Sequence, residues 1–207
     1  MKTLFALCLV TIFGGLAIAP AAQQEGNSEA AKIAREASAA AKDQNWDKAI
    51  DGFRRASEKD RKFTASLALA YQQRAFFYAN DNRFQDAMND LAESIKIKPD
   101  PRAYEQRAAI EMRVSDYDKA LADYAEASKL NPGEVKYHNY RAYIYETRGD
   151  LQNAAVENDA ALKINGKNKE AVDRKARLQK IQSANSVPTG TPVAAPNSPA
   201  PSKKRPH

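Results

Sequence analysis

Alanines recur through the middle of the chain, among bulkier residues, at intervals far longer than a helical turn. Ala49, Ala87, Ala120 and Ala154 lie 38, 33 and 34 residues apart, and Ala37, Ala75, Ala108 and Ala142 keep the same three intervals. A bulky column, Trp46, Phe84, Tyr117 and Leu151, keeps them as well. Three columns in one register mark an internal repeat, and a repeat decides the architecture before any local propensity does. Small residues in such columns predict points where two helix backbones approach closely, with the large residues filling the space between.

Local signals agree with helices. Asp100-Pro101 reads as a helix start, with Asp as the cap and Pro at the first helical position. After Asn168 one more amphipathic helix is expected over 169–183, with Val172, Ala176 and Ile181 on one side and Lys169, Arg174 and Lys180 elsewhere. From Ala184 to the end the sequence is Ser, Thr, Ala, Asn and Pro with a basic finish, and it has no apolar period with which to bury anything. Residues 184–207 are expected to be a disordered tail.

At the other end, Met1-Lys2 supplies a charge, Thr3 to Ala19 is an uncharged apolar run, and Ala19-Pro20-Ala21 puts small residues around a cleavage point. This predicts a signal peptide over 1–21, followed by a short leader, 22–28, and export to the periplasm or beyond. Retention as an anchor is the alternative, although Gly14, Gly15 and two threonines leave the run short of the roughly 20 apolar residues that span a bilayer. Removing residues 1–21 removes the one cysteine, Cys8, and with it any intramolecular disulfide or thiolate metal site.

Composition narrows the class. A chain of 207 residues rich in Ala, Lys, Glu, Asp, Gln and Arg, with only 8 Gly, favours helix over strand, so an all-α domain is expected. The formal charge of +6 is misleading. Of 32 Lys and Arg, Lys2, Lys203, Lys204 and Arg205 fall outside the repeats, leaving 28 against 26 Asp and Glu. A folded part so close to neutral argues against nucleic acid, where clustered positive charge dominates affinity.

With these columns the sequence resembles the tetratricopeptide repeat family, whose unit of about 34 residues is a pair of antiparallel helices. The resemblance covers Ser28 to Gln182. It rests on a large residue in each first helix (Ile33, Tyr71, Tyr104, His138), the small residue four positions later, and the alanine of each second helix. Phe53, Leu91 and Tyr124 follow, then Ala56, Ser94, Ala127 and Ala161, and Pro99 and Pro132 close two units. The resemblance implies a right-handed superhelical stack of about four helix pairs plus a C-terminal capping helix. The repeats fall at about 30–63, 68–100, 101–134 and 135–168, within a domain of 29–183. Departures lie at the ends. The first unit is Ala-rich without a closing proline, four extra residues separate it from the second, and Asn158 replaces the aromatic of the fourth.

Nothing catalytic is visible: there is no His-Glu-x-x-His, no glycine-rich phosphate loop, no Cys pair and no Gly-x-Ser-x-Gly. No cofactor or metal is expected, and His138 reads as a packed structural side chain. A charge pattern does recur. Arg74, Arg107 and Arg141 precede the alanine of a first helix, and Asp90, Asp123 and Glu157 follow 16 residues later, whereas the first unit has Glu36 and Gly52 in those places. We read these as structural ion pairs between the two helices of a unit, leaving open a pairing of Asp90 with Arg107.

By resemblance to the family, binding belongs to the concave face lined by the first helices, where peptides dock. Helical stepping puts Gln72 and Phe76 there, then Arg102, Glu105, Ala109, Met112 and Arg113, then Lys136, Asn139, Tyr143 and Glu146. Phe76 and Tyr143 are expected to flank Ala109, rimmed by Arg102, Arg113 and Lys136, which suits a peptide carrying an acidic group beside an apolar one. The expectation is therefore a protein- or peptide-binding scaffold, monomeric or weakly self-associating, and not an enzyme. A structural, self-associating envelope role is the alternative.

Overall fold

The structure is a computed structural model and describes residues 19–186. Among these residues all regular structure is helical. The helices are α1 (Ala19–Lys42), α2 (Trp46–Lys59), α3 (Thr64–Asn80), α4 (Phe84–Ile97), α5 (Pro101–Arg113), α6 (Tyr117–Leu130), α7 (Val135–Thr147), α8 (Leu151–Ile164) and α9 (Lys169–Ser186). The expected export segment lies outside the described residues except for 19–21, in α1. The expected tail lies outside them too, except for 184–186, which continue α9.

The chain divides into two compact units between Pro132 and Gly133. In the first, α1 packs with α2, α3 with α4 and α5 with α6; in the second, α7 packs with α8, and α8 with α9. All three small columns of the sequence are at the contacts. Ala49, Ala87, Ala120 and Ala154 are fully buried, as are Ala56, Ser94, Ala127 and Ala161, and Ala37, Ala75, Ala108 and Ala142 are nearly so. At a helix crossing, a side chain no larger than a methyl or hydroxymethyl lets the backbones close, and the larger neighbours then fill the grooves.

The helix ends follow from local chemistry. Asn45, Asp116 and Asp150 cap α2, α6 and α8, their side-chain oxygens accepting from the amides of Lys48, Lys119 and Asn153. Asp100 does the same for α5 by accepting from the amide of Arg102, with Pro101 behind it. Each first helix ends in one backbone motif. The amides of Asn45, Arg83, Asp116 and Asp150 return to the carbonyls of Ala40, Tyr78, Glu111 and Tyr145 at 2.8–2.9 Å. The residue before each amide, namely Gln44, Asn82, Ser115 or Gly149, takes a positive φ of 58° to 76°.

The insertion after α2 includes a 3-10 turn at Arg61–Phe63, begun by Asp60 accepting from the amide of Lys62. That turn carries Phe63 back against the cluster of Ile33, Ile50, Phe53, Leu67 and Tyr71, so the insertion closes the core of the first pair. A second cluster, Ala75, Ala87, Leu91, Ala103 and Ile110, joins α3, α4 and α5.

Candidate functional site

Charged side chains tie each of the last three pairs together. Arg74 donates from Nε and Nη2 to the two carboxylate oxygens of Asp90, both at 2.7 Å. Arg107 grips Asp123 in the same two-point way at 2.6 and 2.8 Å. In the second unit Arg141 reaches Glu157 at 2.9 Å, and Nδ1 of His138 meets the other carboxylate oxygen at 2.8 Å. The pairs run within units, so Asp90 belongs to Arg74 rather than to Arg107.

All three carboxylates are buried, which strengthens a charge-assisted bond and makes losing one partner costly. The hydrogen bonds to Asp90 and Asp123 push the Arg74 and Arg107 guanidiniums further up, so both stay cationic. The first pair has no room for such a bridge. A Cβ on Gly52, in the acid's place, would come within 2.7 Å of the Ala37 Cβ, and Glu36, in the arginine's place, is exposed. These bridges are used up in holding helices together and leave function to other surfaces.

The face of α3 and α5 carries an apolar recess of about 190 Å³. Its walls are Ala75, Phe76, Ala79, Leu91, Ala109 and Ile110, with Gln106 and Arg113 supplying polar groups. Phe76 is 53% exposed, which leaves much of a large apolar ring in water. It stands edge-on to Phe77, with ring centroids 6.1 Å apart. Gln106 Oε1 is buried here without a hydrogen-bond partner. Arg113 is fixed at the rim: it donates to the Ala79 carbonyl and to Asn82 Oδ1, both at 3.2 Å, and its guanidinium lies 4.6 Å from the Phe84 ring centre. An apolar wall, one orphan acceptor and a placed cation make a site for an apolar side chain attached to a hydrogen-bond donor.

Of the residues placed on this face by helical stepping, Phe76, Ala109 and Arg113 meet in the recess. Arg102 is exposed at a second hollow, which Leu69, Gln72, Lys98 and Asp100 also line, and Glu105 and Met112 are partly exposed on α5. Gln72 reaches that hollow with little of its surface in water. It is buried, and its amide donates to Ser94 Oγ at 3.0 Å, which in turn donates to the Ala68 carbonyl, so its polar group serves the α3–α4 contact.

In the second unit Tyr143 is half-exposed on α7 and Lys136 partly so. Asn139 is a correction. It is buried, its Nδ2 donating to Asn168 Oδ1 while Asn168 caps the start of α9 through the amide of Ala171. Glu146 is engaged by Arg174 at 3.2 Å and by Arg177 at 3.1 Å, so it fastens α9 to α7. Sequence reasoning missed Gln106: it lies one turn before Ile110 and three residues before Ala109, a spacing that would have put it in the same patch.

No family model matches the sequence, and no curated protein matches it either. Solved structures do. The first tetratricopeptide repeat domain of Spaghetti, solved with an HSP90 peptide bound, is 18% identical with a TM-score of 0.51, over 57% of this chain and 95% of that one. The repeat domain of Arabidopsis OM64 is 22% identical with a TM-score of 0.51, over 57% and 98%. A tetratricopeptide repeat protein of Parabacteroides merdae is 17% identical with a TM-score of 0.53, over 77% of this chain and 61% of that one. At these identities the likeness is one of fold: the chain has the tetratricopeptide repeat architecture, all-α and built of helix pairs.

Proposed function

We propose that the chain is a non-enzymatic scaffold of the cell envelope that binds a partner polypeptide on its first helices, with Phe76 as anchor. The observation that carries this reading is the α3–α5 recess, where an exposed aromatic ring stands beside the orphan acceptor of Gln106. A peptide supplies what the recess lacks: an apolar side chain to cover the ring and a backbone N–H for Oε1. Arg113 at the rim favours an acidic neighbour on that peptide. The Spaghetti repeat domain, which shares the fold, is solved with a peptide, and this adds support.

Export is supported by the charged start, the apolar run and Ala19-x-Ala21. No described helix is long and apolar enough to cross a membrane. Mass spectrometry of the mature N-terminus decides it, and intact Met1 in a membrane fraction would replace export by anchoring.

The binding test is a selection of displayed random peptides on the purified chain, followed by affinity measurements on variants. Selected peptides should carry an apolar residue next to an acidic one. Phe76→Ala should weaken them by about 2 kcal/mol with the melting temperature unchanged, and Arg113→Ala by less, with a loss that shrinks at high salt. Peptides that bind Phe76→Ala as well as the parent chain refute the assignment. Exposed Val156 and Val172 in the second unit favour the second reading, self-association, and a mass that falls on dilution would support it.

A further inference from the structure

A different recess, sharing no lining residue with that of Phe76, opens among α4, α5 and α6 with a volume of about 360 Å³. Gln85, Met88 and Asn89 of α4 face Arg107 and Glu111 of α5 and Lys119, Ala122 and Asp123 of α6 across it. Glu111 is 4% exposed, and its Oε2 has no hydrogen-bond partner. A buried carboxylate oxygen left unmatched is expensive, and the nearby cations do not remedy it. The Arg107 fork is committed to Asp123, and Lys119 Nζ is held by the Asp116 carboxylate at 2.5 Å.

Charge around the group is unbalanced in the same sense. Asp116, which caps α6, Asp123 of α6 and Glu111 itself stand against Arg107 and Lys119, while the α4 wall contributes only the amides of Gln85 and Asn89 and the Met88 thioether. One negative charge is uncompensated whenever Glu111 is ionised. Met88 and Ala122 provide apolar wall beside it.

We propose that this recess binds a primary ammonium group on an aliphatic stem, with Glu111 as its counter-ion. A guanidinium fork needs two oxygens side by side, whereas a single orphan oxygen, on a residue that lines the recess, fits the compact point charge of an ammonium. The stem lies along Met88 and Ala122, as alkyl chains of lysines do on apolar surfaces. A free aliphatic amine and a lysine side chain of a partner share this chemistry.

Burial first, and then the Asp123 carboxylate, push Glu111 up to about 7, so the empty recess is half-charged near neutrality. An ammonium binds the ionised form. Binding should therefore be about tenfold weaker at pH 6 than at pH 8, following the ionised fraction of Glu111.

The experiment follows the Glu111 carboxyl carbon by NMR in the full chain while n-butylammonium chloride or N-acetyl-lysine methylamide is added against sodium chloride at equal ionic strength. The amine should shift the resonance saturably and lower the carboxyl's titration midpoint, with the tenfold pH effect. Glu111→Gln should abolish binding, read at neighbouring resonances, and Phe76→Ala should leave it unchanged. Preference for the lysine derivative identifies a polypeptide source, and preference for butylammonium a free amine. The proposal is overturned if sodium chloride reproduces the shift, or if the amine affects other resonances of Glu111→Gln as it does those of the parent chain.

Discussion

Glu111→Gln should make the protein more stable, and only above a definite pH. In the folded chain the carboxyl holds its proton up to about 7, against an ordinary value of 4.5. Between those values the folded state binds more protons than the unfolded state, so stability falls as pH rises through the window. Below it both states are protonated and the penalty vanishes; above it the penalty is complete. The difference of about 2.5 pH units corresponds to roughly 3 kcal/mol of lost stability at pH 8, at 1.36 kcal/mol per unit. A glutamine amide keeps the shape and carries no charge, but it remains a polar group in the same buried place. The net gain at pH 8 is therefore smaller, about 1–2 kcal/mol. Urea unfolding followed by helix circular dichroism, for both proteins at pH 5 and pH 8, reads the effect directly. The parent chain should lose stability relative to the variant across that interval. Parallel pH profiles would show that the Glu111 carboxyl is solvated in solution, and the account of a buried orphan charge would be wrong.

In Arg107→Ala and Asp123→Ala the losses should be non-additive by about 0.5–3 kcal/mol in a double-mutant cycle, while Asp90→Ala with Arg107→Ala should be close to additive. Ser115→Gly should raise the melting temperature, because a non-glycine residue at a φ of 61° carries strain of about 1 kcal/mol, partly offset by the freer unfolded chain. Gly149→Ala should lower it by a similar free energy, through the backbone alone, since nothing lies within 4 Å of a Cβ built there. Asn158→Leu should stabilise by about 1–2 kcal/mol in chemical unfolding, because the buried Asn158 Oδ1 is unpartnered where the second and third repeats place Leu91 and Tyr124. A loss of stability there would mean that the amide is satisfied in solution.

How much was legible in the sequence depended on whether a residue repeats its column or departs from it. The alanine columns were readable because every pair solves one packing problem, the close approach of two helices, with one answer. The left-handed turn was not, although it is as regular: Gln44, Asn82, Ser115 and Gly149 share a backbone conformation but no side-chain chemistry, and only Asn82 and Gly149 hint at it. Asn139 was misplaced because helical stepping fixes the angle of a Cα about its axis and not how far neighbouring helices cover it. The departures carry more information. Gly52, where the other pairs have an acid, marks helices too close for a bridge, and His138, where Tyr71 and Tyr104 stand, gives Glu157 a second partner. Three residues after each first-helix alanine come Ala40, Tyr78, Glu111 and Tyr145, so the third repeat puts a carboxylate where its neighbours have aromatic rings. A tyrosine there carries its hydroxyl at the end of a long ring, whereas the shorter glutamate leaves its charge buried in the wall of a recess. In a repeat fold the architecture supplies a control for each position, and the residue that fails to match its column is where a site with its own chemistry is to be sought.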